Sequence, residues 1–382
     1  MDKIVYKLGE LFCGPGGIAR GAELASLETD SAEFSIKHVW ATDYHKDTCA
    51  TYRANFFKNS EDRVIQEDIR KLDFQILKDL SEIDGLAFGF PCNDFSLVGE
   101  QKGTDGEYGP LYTYGSKALV EFQPKWFLAE NVGGLASSNE GKAFVSILDS
   151  FRSCGYNLFP HLYKFEQYGV PQARHRIIII GIRHDLNIDF KIPAPTKEIK
   201  TAKQALENIP DWATNQELTK QSPRVVDRLS YIKPGENAFT ADIPAHLQLN
   251  VKGAKISQIY KKIDPDKPSY TVTGSGGGGT HMYHWEENRA LTNRERARLQ
   301  TFPDYHVFEG SKESVRRQIG MAVPVDGVRL IFESLLKCFA DVSYPFIQPS
   351  FDVLRYDDDP SEIEVVKQRL IQEVSGSVNE LL

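Results

Sequence analysis

The 382-residue chain contains no run of about 18 apolar residues, so it offers no candidate for a membrane-spanning helix. Its first residues, Met1-Asp2-Lys3-Ile4-Val5, lack the charged-then-apolar pattern of a secretory signal, and a cytoplasmic location is expected. The five cysteines (Cys13, Cys49, Cys92, Cys154 and Cys338) are odd in number and scattered, with no CxxC pair. Neither a disulfide framework nor a zinc site follows, and no metal is expected. The fingerprint G-x-G-x-x-G is also missing, because the glycine turn Cys13-Gly14-Pro15-Gly16-Gly17 does not have that spacing; this argues against a dinucleotide site. Net positive charge is absent as well. The formal charge is −8, yet residues 191–290 hold 14 Lys+Arg against 11 Asp+Glu and carry +3, which leaves −11 for the rest. Phosphates are contacted by one face, so this local balance keeps a nucleic acid in view as a partner. The densest acid, Asp357-Asp358-Asp359, reads as the solvated start of a helix.

What the chain does have is 41% hydrophobic residues, enough for one large domain or two. Residues 7–12 read as a strand running into the glycine turn and then a helix at 18–24. This arrangement lets backbone N–H groups approach a ligand closely, although tight packing explains such a turn equally well. A second strand at 36–43 ends in Asp43, placed either to hydrogen-bond ribose hydroxyls or to cap the helix at 45–55. A third at 64–69 carries Asp68 near its end, where a carboxylate could face an adenine amino group. Three strand ends so decorated read as one nucleoside pocket.

The apolar run 85–88 reads as a short buried strand that opens into Gly89-Phe90-Pro91-Cys92-Asn93-Asp94-Phe95-Ser96. Pro91 fixes a backbone dihedral just before Cys92, which would present a thiol at the mouth of a sheet; a buried structural cysteine is the plainer alternative. The glycine-rich loop 99–115 is too polar to pack and reads either as a lid over that thiol or as disordered. A fifth strand, 125–132, is apolar until Glu130, a carboxylate that either pairs with a local arginine or lines a site. A sixth lies within 157–165, and Gln172-Ala173-Arg174-His175-Arg176 leads into a seventh at 177–182. Prolines then break the periodicity, and residues about 190–295 read as a smaller domain of short strands and loops. Its glycine tract is either a plain linker or a place where backbone approaches a DNA groove or phosphates. Regularity returns with a helix at 291–299, Thr292 its N-cap and Glu295 the capping-box partner. An apolar helix follows at 328–339, and an amphipathic one opens at Pro360.

Taken in order, Phe12-Cys13-Gly14-Pro15-Gly16-Gly17, Gly89-Phe90-Pro91-Cys92, Glu130-Asn131-Val132, Gln172-Ala173-Arg174-His175-Arg176, the run from Arg294 to Pro303, and Gln318-Ile319-Gly320 resemble the motifs of the DNA (cytosine-5-)-methyltransferase family, bacterial restriction-modification type. The resemblance covers about residues 5–335. It implies an α/β fold: a doubly wound, Rossmann-like sheet that binds S-adenosyl-L-methionine, facing a smaller, irregular β-rich target-recognition domain across a DNA cleft. The implied divisions are 1–189 for the first part of the catalytic domain, 190–295 for target recognition, 296–345 for the return to the catalytic domain, and 346–382 for an acidic extension with the amphipathic helix. Phe12, Gly14, Gly16, Asp43, Asp68, Ile69, Pro91, Met321 and Val323 would hold the cofactor, with Asp43 at its ribose and Asp68 at its adenine. Double-stranded DNA would be the partner, with Ser96, Thr271, Thr273, His281, Tyr283 and His284 as candidate contacts. A cognate restriction endonuclease would act on the same site without needing to be bound, and a monomer is expected.

Carbon 5 of cytosine is a poor nucleophile until a thiolate adds at carbon 6. The resemblance gives that task to Cys92, with Arg174 and Arg176 supplying a field that favours the thiolate and contacting the flipped nucleotide. Glu130 would hydrogen-bond the exocyclic amine and ring nitrogen 3, and the base must leave the duplex to be reached. One departure stands out. Where the family usually has Gly-Asn before Val-Pro, this chain has Gly320-Met321-Ala322-Val323-Pro324. An amide near the donor pocket is thereby exchanged for a thioether, which weakens donor binding, changes the tolerance for a larger donor group, or is drift. Three other readings compete: an RNA (tRNA) cytosine-5 methyltransferase on the same scaffold, a DNA-binding homologue without catalysis, and a nicotinamide-dependent oxidoreductase. The long proline-rich segment, the presence of Cys92, Glu130 and both arginines, and the missing glycine fingerprint argue against them in turn.

Overall fold

In the computed structural model, which describes residues 1–90, 111–136, 141–250 and 257–376, strand β1 (Asp2–Leu11) passes from an exposed first half into a buried end. After it come α1 (Gly17–Leu24), β2 (Ser26–Glu28), the long β3 (Ala32–Asp43), α2 (Lys46–Phe56), β4 (Val64–Gln66), α3 (Phe74–Leu80) and β5 (Gly85–Gly89). The next elements are α4 (Tyr112–Phe122), β6 (Trp126–Val132), α5 (Lys142–Arg152), β7 (Tyr156–Lys164), β8 (Gln172–Ala173) and β9 (His175–Arg183). The last part holds β10 (Ile192–Pro193), α6 (Ala202–Leu206), α7 (Pro223–Ser230), β11 (Ser269–Tyr270), α8 (Asn293–Leu299), α9 (Lys312–Met321), α10 (Val325–Phe339), β12 (Phe346–Ile347) and α11 (Pro360–Gly376).

The main sheet runs β2-β3-β1-β5-β6-β9-β7, and β4 pairs with the far end of β3. β4, β3, β1, β5 and β6 are parallel, so their carboxyl ends open on one side of the sheet, while β9 and β7 extend it antiparallel. Apolar residues on alternate sides of these strands are covered by helices on both faces, the doubly wound arrangement. On one face Ile18 and Ala22 of α1 and Val328 and Ile331 of α10 meet Leu8, Leu128 and Ile178. On the other, Leu119 of α4 and Phe144 and Leu148 of α5 meet Leu86, Phe88 and Phe127.

Two expectations need correction. The third strand ends at Gln66, so Asp68 lies two residues beyond it in a turn. The segment 190–295 is irregular but not β-rich: among its described residues the strands are β10 and β11, two residues each, and both pair with strands outside the segment. Proline supplies no ladder donor, so this part is built instead around an apolar cluster of Leu229, Ile232, Ile243, Leu247 and Tyr283. The chain after α10 returns to the sheet, where Leu354 bridges Leu158 of the edge strand β7 and α11 sends Val366 and Leu370 into the core beside α5. No helix among the described residues is long and apolar enough to cross a membrane.

Candidate active site

The turn after β1 takes its shape from three left-handed residues, Phe12 (φ 51°), Gly14 (φ 55°) and Gly16 (φ 87°). A β-carbon on Gly14 would meet nothing within 4 Å, so the space above the turn is open; one on Gly17 would strike the Val323 carbonyl. The glycines therefore do two jobs, opening a cradle at Gly14 and letting α1 close onto the start of α10. Asp43, at the end of β3, ties the turn down. One carboxylate oxygen accepts Gly14 N–H at 3.1 Å and the other His45 N–H at 2.9 Å. Burial raises its pKa against those donors, and it is not the cap of α2, whose N-cap position is His45. Asp68 is gripped by Arg70, whose Nε lies 3.0 Å from one oxygen and Nη2 2.6 Å from the other, and this bond holds its pKa low.

Two adjoining hollows lie over the carboxyl ends of the parallel strands, where a doubly wound sheet places ligands. The larger, about 340 Å³, reaches Asp68, Ile69 and Phe90. The narrower, about 110 Å³, descends past Cys13 and Gly14 to Gln318 and Val323. Phe12, Asp43, Tyr44, Gly89, Glu130 and Met321 line both, so they form one cleft. Register explains the centre of it: β5 and β6 pair with Gly89 opposite Glu130, and a β-carbon on Gly89 would come within 3.2 Å of Glu130 Oε2. The missing side chain at 89 leaves one side of the carboxyl group clear.

Glu130 both lines the cleft and pairs with an arginine, so the two alternatives for it merge. Arg176 Nε stands 3.0 Å from its Oε1. Burial raises the Glu130 pKa, while Arg176 and then Arg174 pull it back. Arg174 is fully buried and holds two carbonyls, Val272 O at 3.1 Å and Gly320 O at 3.0 Å, leaving its Nε without a partner among the described residues. It staples the segment after β11 to the end of α9. Gly320 sits so tightly against Thr273 and Gly274 that a β-carbon there would collide with backbone. Met321, the next residue, is 63% exposed at the rim. Phe90 O accepts Asn131 Nδ2–H at 3.2 Å, which fixes the path out of β5. Pro91, Cys92, Ser96 and residues 99–110 of the expected lid lie outside the described residues.

The remaining DNA-contact candidates are placed as follows. Thr271 donates its hydroxyl to Ala173 O at 2.7 Å, and half-buried Thr273 donates to Ser275 O at 3.2 Å. Tyr283 is buried with its hydroxyl on Gly278 O. His284 is buried on Trp285, and its Nδ1 accepts two backbone N–H groups, from Glu286 and Glu287. His281 is buried as well. The aromatic run 281–285 thus packs inward, since rings supply the apolar area that this strand-poor segment needs. Two residues of the cleft escaped the sequence reading. Tyr44 follows Asp43 and lines both hollows. Glu10, two residues before the left-handed turn, is buried, accepts the Tyr52 hydroxyl at 2.8 Å, and is pushed up to about 8 chiefly by burial. A lone acid in the apolar end of a strand was the signal available for it.

Comparison with known proteins bears on this geometry. A family model, C-5 cytosine-specific DNA methylase, matches residues 6–337. The Type II methyltransferase M.BbvI of Brevibacillus brevis is 55% identical over 355 residues, 91% of this chain and 95% of that protein. M.NgoFVII, a Type II methyltransferase of Neisseria gonorrhoeae, is 42% identical over 344 residues, covering 88% and 87%. Among solved structures, a prophage-encoded Escherichia coli protein described as a DNA modification methyltransferase superposes with a TM-score of 0.69 at 23% identity, covering 88% of this chain and 99% of that one.

Proposed function

The chain belongs to the C-5 cytosine-specific DNA methylase family, and we propose that it methylates one cytosine within a specific duplex sequence as the modification enzyme of a Type II restriction-modification system. The observation that carries this reading is the buried Glu130 carboxyl, held by Arg176 at the carboxyl end of β6 and facing Gly89, three residues ahead of Cys92 in the sequence. The family model names DNA, which sets the RNA reading aside.

S-Adenosyl-L-methionine fits the cleft. The space above Gly14 is open, Asp43 has acceptor capacity beyond its two N–H bonds, and the aromatic Tyr44 flanks it. Phe12, Gly14, Gly16, Asp43, Asp68, Ile69, Met321 and Val323 would hold the cofactor with Pro91, and when bound it supplies an electrophilic methyl group. The target cytosine swings out of the duplex at a cost of about a few kcal/mol in pairing and stacking. Cys92 adds its thiolate sulfur to carbon 6, which turns carbon 5 into an enamine-type nucleophile. Glu130 bonds the exocyclic amine and nitrogen 3. Burial raises its pKa against the pull of the two arginines, which eases proton sharing with that nitrogen as charge develops, and Arg176 fixes its orientation. After carbon 5 gains the methyl group, its proton passes to a base or water and the sulfur leaves carbon 6, so one methyl enters as one proton departs.

Residues 190–295 would choose the sequence. The enzyme would work as a monomer in the cytoplasm, with a cognate endonuclease sharing the site but not bound. Bisulfite sequencing of DNA from cells expressing the protein tests this. The expected result is protection of one cytosine within one recurring motif, and no protection above background would defeat it.

A further inference from the structure

The glycine turn beside the narrow hollow is tied at two points. Asp43 takes the N–H of Gly14 at 3.1 Å, and the carbonyl of Pro15 is held by His306, whose Nε2 lies 3.1 Å from it. Proline has no N–H, so this carbonyl is the one backbone polar group Pro15 can offer, and burial obliges it to find a donor. His306 comes from the loop after α8, 291 residues further along the chain, and none of its surface is exposed. Pro15 itself lines the narrow hollow, so the buried ring reaches the cleft through a single residue.

Both partners of the ring demand the same tautomer. A carbonyl can only accept, so Nε2 carries the proton; Arg20 Nη2, 3.5 Å from Nδ1, can only donate, so Nδ1 is bare. Burial first, and then Arg20, push the His306 pKa well below its ordinary value against the bond to Pro15, with Arg294 adding to the push, and the ring stays neutral. Its place is fixed as closely as its proton. The ring packs against Phe302 and Phe308, with centroids 4.6 and 4.9 Å away. Arg294 Nη2 donates to His306 O at 2.7 Å, and Asn55 of α2 bonds the N–H and the carbonyl of Val307 at 3.1 and 2.8 Å. Arg20, on α1, rests on the rings of Phe56 and Tyr305 and bonds Glu23.

Glycine gives a turn many other conformations, so a turn that must stay open over a ligand needs fixed points on either side. We propose that His306 is a positioning residue of the donor site: its Nε2–H fixes the Pro15 carbonyl and, together with Asp43 on Gly14, holds the turn in the shape that receives S-adenosyl-L-methionine. The assignment rests on the reading of the chain as a methyltransferase that uses this donor.

The test compares wild type, His306→Phe and His306→Gln as full chains, by calorimetric titration with S-adenosylhomocysteine and by thermal melting. Phenylalanine keeps a ring against Phe302 and Phe308 but gives Pro15 O no donor, whereas glutamine places an N–H near the position of Nε2. His306→Phe should bind the ligand about three- to tenfold more weakly, the worth of one net hydrogen bond, and His306→Gln should recover most of that affinity. In turnover the loss should fall on KM for the donor and not on KM for the duplex. Long-range proton–nitrogen NMR spectra of the wild type should show His306 with its proton on Nε2 at neutral pH. A proton on Nδ1 overturns the assignment, and does so even if neither variant folds. So does a His306→Phe variant that binds S-adenosylhomocysteine as wild type does, whatever its Tm, because the histidine would then serve folding alone. If wild type binds no S-adenosylhomocysteine, the functional reading fails and takes this one with it, even with the tautomer as expected.

Discussion

Glu10 and Glu130 are two buried carboxyls on neighbouring stretches of one cleft, and their surroundings give them different work. Glu130 has an arginine at 3.0 Å, whereas Glu10 has a tyrosine hydroxyl and the like charge of Asp43. Burial first, and then the like charge of Asp43, push Glu10 up to about 8 in the folded chain against the opposing bond from Tyr52, from about 4.5 in the unfolded one. Between those values the unfolded state releases a proton that the folded state keeps, so stability falls as pH rises from about 4.5 to about 8 and changes no further above it. Glu10→Gln retains an acceptor for Tyr52 and removes this dependence. Thermal melts should show it close to wild type at pH 5 and more stable at pH 8.5, by an amount on the order of a few kcal/mol. Equal melting at both pH values would show that Glu10 is not held neutral. At this scale the sequence was legible in where the acids stand, Asp43 closing β3 and Glu130 lying near the end of β6. Side-chain direction was not legible: His281, Tyr283 and His284 look like a polar surface in the sequence, and in this strand-poor segment all three are buried.

The elements that frame the cleft were readable because their signals are local. Thr292 caps α8 and exchanges bonds with Glu295 as the spacing predicts, and strands β1, β3, β5 and β6 lie where apolar runs placed them. Contact between distant elements was not readable. Nothing local says that Gly320 at the end of α9 must lie against Thr273 and Gly274, or that Arg174 holds Val272 O and Gly320 O at once. That junction carries Met321 to the rim, so it sets the wall shared by the two hollows. Gly320→Ala places a methyl group against backbone that cannot rotate away, and overpacking of this kind costs about 1–3 kcal/mol. Urea unfolding should report that loss together with weaker binding of S-adenosylhomocysteine. A variant as stable as wild type and unchanged in binding would show that the two segments do not need to touch so closely.

Across the whole molecule, five parallel strands open their carboxyl ends on one side, and the cleft over those ends is lined by Phe12, Asp43, Gly89 and Glu130 at the strand ends and by Met321 of α9 folding back over them. The ordered motifs announced this architecture because they mark strand ends, which topology gathers at one edge. The extension after α10 was legible as an amphipathic helix, but its placement along the edge strand β7 was not. The claim on which all of this turns is a covalent bond between Cys92 and carbon 6 of a cytosine lodged beside Glu130. A duplex bearing 5-fluorocytosine at the methylated position tests it, since fluorine cannot leave carbon 5 as a proton does and the bond to sulfur cannot be released. With S-adenosyl-L-methionine present, peptide mapping by mass spectrometry should find one adduct per chain, on Cys92 and carrying the methyl group. Methyl transfer that survives in Cys92→Ser, or an adduct on any other residue, would contradict it.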